Sequence, residues 1–124
     1  GIDAALASAG EGVSDLRREL AAAVTTVRKA TDWLNGSDDA VARMGGATPY
    51  QEMLGTLAGG YYLARQAIAA IDLGLEDPWM AAKVATARFY AVNLLPKVHG
   101  LLDATIAGPD LLFAVDDDLI GAST

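Results

Sequence analysis

The sequence predicts an all-α fold: an antiparallel bundle of three long helices plus a short additional helix or docked tail. Three observations carry that expectation. Apolar residues recur at three- and four-residue steps over long stretches, which puts them on one face of a helix. No stretch of useful length alternates apolar and polar residues as a half-buried strand would. The 124 residues are 52% hydrophobic but only 6% aromatic; alanine makes up much of the difference, so helices can approach one another closely.

Ile2 to Ala9 reads as a helical remnant interrupted at Gly10 and Gly12. From Val13 to Leu34, the positions Val13, Leu16, Leu20, Val24, Val27, Thr31 and Leu34 form one stripe, with Arg17, Arg18, Lys29 and Asp32 off it. Asn35-Gly36 supplies its C-terminal stop, and Ser37 or Asp38 can cap the next helix. A second pattern begins near Asp39 and breaks at Gly45-Gly46-Ala47-Thr48-Pro49. It resumes through Tyr50, Leu54, Leu57, Tyr61, Ala64, Ile68 and Ile71, with Thr48 as N-cap and Pro49 as first helical residue, and ends around Leu73-Gly74.

The third pattern starts from Asp77-Pro78, again a cap followed by proline, and runs through Met80, Val84, Ala87, Ala91, Leu94, Val98, Leu101 and Thr105. Pro96 removes one backbone donor inside it; the pattern continues on both sides, so a kink is expected rather than a stop. Beyond Gly108-Pro109, Leu111, Leu112, Phe113, Val115, Leu119 and Ile120 stand beside Asp116, Asp117 and Asp118. A short docked segment followed by a frayed end is expected there.

A formal charge of −7 would repel phosphate backbones and anionic bilayers, so neither nucleic acid nor membrane is an expected partner. The uncharged run from Met53 to Ala64 is shorter than the roughly 18 residues a bilayer span needs. With no cysteine, disulfides, thiolate metal sites and cysteine nucleophiles are excluded. The chain opens on Gly1-Ile2-Asp3, without initiator methionine or leader, which suggests a piece of a longer protein, cytoplasmic by default.

His99 is the only histidine, with Asp103 one helical turn beyond it, and the two read as an exposed ion pair. A phosphotransfer histidine would usually carry lysine and glycine three and four residues later, where Leu102 and Asp103 stand. One histidine cannot build a zinc or di-iron site, so no metal ligand is expected. Asp116-Asp117-Asp118 with Gly121 lacks the remaining oxygen ligands of a calcium loop. Gly55, Gly59 and Gly60 sit within a helical pattern, and the Gly55 to Gly59 spacing is expected to bare one face for a close helix crossing. Tyr62, Trp79 and Phe89 fall off the clearest core stripes, while Arg65 and Arg88 are long cations in otherwise apolar stretches. These five are the candidates for an inter-domain surface, with the arginines pairing to carboxylates nearby or across it.

Two stretches carry a resemblance. One runs from Ala47-Thr48-Pro49-Tyr50 through Gly55-Thr56-Leu57-Ala58-Gly59-Gly60-Tyr61-Tyr62-Leu63-Ala64-Arg65. The other is Lys83-Val84-Ala85-Thr86-Ala87-Arg88-Phe89-Tyr90-Ala91 with Leu94-Leu95-Pro96. Together, over about half of the chain, they resemble the extra C-terminal domain of a bacterial branch of acyl-CoA dehydrogenases that includes the methylmercaptopropionyl-CoA dehydrogenases. The resemblance implies residues 1–124 are one accessory domain of a parent enzyme that uses FAD to oxidise an acyl-CoA thioester to its 2,3-enoyl form. It also implies a homo-oligomeric parent whose catalytic body is this domain's partner. No catalytic or flavin-binding motif of that family falls in these residues, so no catalytic, cofactor-binding or metal residue is assigned and no cofactor is expected on this chain alone. Glu11, Glu19, Glu52 and Glu76 are carboxylates that nothing places beside an acyl chain. The alternative is a free-standing helical interaction module without catalysis.

Overall fold

Residues 1–107 are described by the computed structural model, and the regular elements among them are all helical. They are α1 (Ile2–Ala9), a 3-10 turn (Glu11–Val13), α2 (Ser14–Gly36), α3 (Ala40–Leu73), α4 (Pro78–Asn93) and α5 (Lys97–Ile106). The tail and its acidic run, for which docking and fraying are expected, lie outside the described residues.

α1 ends where Gly10 takes a φ of +90°, a conformation that favours glycine, and the 3-10 turn swings the chain into α2. Leu6, Val13, Leu16 and Leu20 from these elements are all buried. Burying a side chain of that size contributes roughly 1.5–3 kcal/mol, which is how so short a first helix is held.

The largest departure from expectation is α3. Gly45-Gly46-Ala47-Thr48-Pro49 does not break it, and Thr48 is no cap. Its N-cap is Asp39, whose Oδ1 accepts from the backbone N–H of Val41 and Ala42 at 3.0 and 3.3 Å. Pro49 sits inside the helix and removes the backbone N–H that would bond the Gly45 carbonyl one turn back. Gly45 is exposed, so water can serve that oxygen, while burial of Ala42, Gly46 and Met53 holds the helix on either side of the proline.

Pro96 produces the opposite correction: it divides the third expected helix rather than kinking it. Leu94 and Leu95 both donate to the Tyr90 carbonyl, closing α4, and Val98 and His99 then donate three residues back to Leu95 and Pro96. Leu95, fully buried in this turn, packs on Gly60 of α3 and fixes the corner.

Cross-contacts give the chain directions. Thr31 meets Tyr50 at 2.6 Å and Leu34 lies against Gly46, so α3 runs counter to α2. α4 and α5 follow α2 at a constant offset of 73 residues, shown by Arg88 with Asp15 and His99 with Thr26. The His99 pairing overturns the expected His99–Asp103 ion pair: its Nδ1 lies 2.6 Å from the Thr26 hydroxyl, and no ion pair joins it to Asp103 among the described residues.

Glycines supply the close approaches, although Gly55 is not one of them: a Cβ there would meet nothing within 4 Å. At Gly59 it would stand 2.5 Å from the Tyr90 hydroxyl, at Gly60 2.9 Å from Leu95 Cδ2, and at Gly46 2.5 Å from the Thr105 carbonyl oxygen.

Candidate functional site

α4 begins at an Asp77 cap, whose Oδ1 accepts from the Trp79 backbone N–H at 2.9 Å, with Pro78 in the first turn. That start fixes the phase of the helix. Ala87 and Ala91 turn into the core, while Trp79, Ala82, Thr86 and Phe89, spaced by three and four residues, form a stripe beside α3 and on its outer flank. On α3, Tyr62 and Gln66 share the facing edge.

Between these edges lies a groove of about 340 Å³ with Tyr62 and Trp79 as aromatic walls and Gln66, Lys83 and Thr86 among its lining. Lys83 Nζ donates to Gln66 Oε1 at 3.1 Å across it. Trp79 is 77% exposed, and Tyr62 and Phe89 63% each. Tyr62 and Trp79 thus present most of their area to solvent at the groove, and Phe89 does so farther along α4.

The five residues singled out from the sequence are not one cluster. Tyr62 and Trp79 face each other across the groove, and Phe89 extends the α4 stripe. Arg65 is exposed one turn beyond Tyr62 and has no ion-pair partner among the described residues. Arg88 is turned toward α2, where its Nη2 and Nε lie 3.1 Å from Asp15 Oδ2. The hydrogen bond from Arg88 holds the Asp15 carboxyl below its ordinary range, and the same bond raises the guanidinium. Gln66, Lys83 and Thr86 are not marked out by the sequence. Their helical spacing from Tyr62 and Trp79 is readable there, but which helix edges meet is not.

Two other depressions flank α3. One, about 390 Å³, is bordered by Leu6, Leu20 and Tyr61 with Arg17 held by Asp3 at 3.0 Å; the other, about 490 Å³, by Leu34, Met44, Tyr50 and Leu54 with Arg43. Thr26, whose hydroxyl meets His99, is buried at the crossing of α2 and α5, so this pair locks helices together rather than opening onto a groove. Burial pushes the Tyr90 phenol up, and its hydroxyl donates to the Thr56 carbonyl at 2.7 Å. No group of three or more His, Cys, Asp or Glu side chains suited to a metal ion occurs among the described residues. No described helix is long and apolar enough to cross a membrane.

No curated protein and no solved structure matches the chain. A family model described as acetyl-CoA dehydrogenase C-terminal like matches residues 1–116, nearly the whole length, and the chain belongs to that family.

Proposed function

We propose that this chain is the C-terminal accessory domain of an FAD-dependent, homo-oligomeric acyl-CoA dehydrogenase of the methylmercaptopropionyl-CoA dehydrogenase-like bacterial branch. Its role there is to dock on the catalytic body of the same cytoplasmic polypeptide. The parent reaction is oxidation of an acyl-CoA to its 2,3-enoyl-CoA; this domain contributes packing, subunit contact or walling of the acyl pocket. The observation that carries the docking reading is the exposure of Tyr62, Trp79 and Phe89. Family membership supports the catalytic body as the partner.

The described residues do not fit a flavin site. Gly45-Gly46 and Gly59-Gly60, the two adjacent glycine pairs among them, lie within α3, where their backbone is part of the helix and cannot form a phosphate-cradling turn at a helix start. The flavin chemistry of the parent is therefore assigned to no residue of this chain.

Deleting the domain from the full-length enzyme tests the proposal. Thermal stability, flavin retention, subunit mass and acyl-CoA oxidation are measured together, and loss in at least one is expected. If all four are unchanged, docking has no functional part and the chain is better described as an independent interaction module.

A further inference from the structure

The α3–α4 groove has a chemical polarity that its aromatic walls alone do not require. Lys83 carries three N–H donors and no acceptor, and its bond to Gln66 Oε1 uses one of them. That bond also fixes the Gln66 amide, because only its oxygen can accept from an ammonium, so the Gln66 NH2 group is left to donate elsewhere. The Thr86 hydroxyl hydrogen is spent on the Ala82 carbonyl of its own helix at 2.8 Å. Among the described residues the groove is left with donors that have no protein acceptor, around one positive charge.

Among the described residues no carboxylate lines the groove, in a chain whose net charge is −7. Asp77, at the groove's Trp79 end, already accepts from the Trp79 backbone. Arg65 adds a second cation one turn along α3 from Tyr62. A purely apolar partner seated between Tyr62 and Trp79 would strip water from Lys83 and leave its charge unpaired, which is strongly unfavourable. A carboxylate placed there gains instead, because a partner docked over the exposed aromatic walls displaces water and strengthens the ion pair.

We infer that this groove receives an aspartate or glutamate side chain, presented among apolar neighbours by the catalytic body, with Lys83 as its ion-pairing residue. The inference rests on the docking reading and adds the chemistry of the partner.

The test treats the full-length enzyme with a water-soluble carbodiimide, which condenses an amine with a carboxylate it touches, followed by peptide mapping. Hydrogen exchange of α3 and α4 is measured in parallel. A Lys83 cross-link to a peptide of the catalytic body is expected. It should be absent in Lys83→Arg, which keeps the charge but forms no such amide, and several-fold weaker in Trp79→Ala. A Lys83 cross-link to a second copy of this domain overturns the inference. So does absence of any Lys83 cross-link while Trp79→Ala still speeds exchange in α3 and α4, in which case docking stands and the carboxylate does not. If Trp79→Ala changes neither exchange nor cross-linking, the docking reading falls as well.

Discussion

Tyr90 and Gly59 are fitted to each other: the Tyr90 hydroxyl, bonded to the Thr56 carbonyl at 2.7 Å, occupies the space a Gly59 side chain would need. The contact stitches α4 to the middle of α3, and Gly60, one residue on, admits Leu95 in the same way.

Gly59→Leu is expected to destabilise the chain by about 1–3 kcal/mol, since the added side chain must displace a hydrogen-bonded ring. Better helix propensity opposes this by no more than about 1 kcal/mol, so overpacking wins. Gly55→Ala, where nothing lies within 4 Å, should instead raise the denaturant midpoint. Midpoints moving the same way in both variants would contradict the assignment of the two glycines.

Gly46→Ala meets a harder obstacle, because the atom 2.5 Å away is the Thr105 backbone oxygen rather than a mobile side chain. A loss of roughly 2–3 kcal/mol is expected, at the upper end of overpacking effects. Faster hydrogen exchange in α5 should accompany it. Unchanged stability would mean that α5 does not rest on α3 at this point.

Asp39→Ala removes the side chain that satisfies two backbone donors at the start of α3, and a loss of about 1 kcal/mol is expected. Asp38→Ala serves as the control and should have little effect. Equal losses in both would assign the cap to the wrong aspartate.

The Asp15–Arg88 pair predicts a pH dependence. The folded-state pKa of Asp15 is lowered, first by the hydrogen bond from Arg88, so its contribution is complete above the ordinary aspartate range. It is lost as pH falls through the lowered value. Asp15→Asn should therefore unfold at lower denaturant than the parent chain at neutral pH, with the gap closing in strong acid and narrowing at high salt. A gap that persists undiminished in acid would assign the effect of Asp15 to something other than its charge.

Much of the helix content is legible in the sequence because single-helix periodicity needs no tertiary information: the α2 stripe, the Asp77-Pro78 start and the Gly74 stop all emerge from spacing and caps. The errors fall where tertiary packing outweighs a local signal. Pro49 stays helical because Gly46 and Met53 are buried around it, and Pro96 ends a helix because Leu95 finds a socket at Gly60. The same limit applies to the surface. Exposed aromatics are readable as off-stripe residues, but the partnership of Lys83 with Gln66 and the turning of Arg88 to Asp15 depend on which helix edges meet.

The continuity of α3 also sets where the chain tolerates a change of length. A break at Gly45 to Pro49 would have acted as a slip joint, absorbing an inserted or lost residue. In an unbroken helix the same change rotates everything beyond it by about 100° relative to everything before. Gly46 would then no longer sit beneath Thr105 while Met53 and Gly60 keep their places, or Tyr62 would be turned to the phase now held by Leu63 or Tyr61, out of register with Trp79. Length variation around α3 is therefore confined to the connections that flank it, at 37–39 and 74–77, and the spacing between Gly46 and Tyr62 is a fixed ruler along which the two ends of the domain are phased.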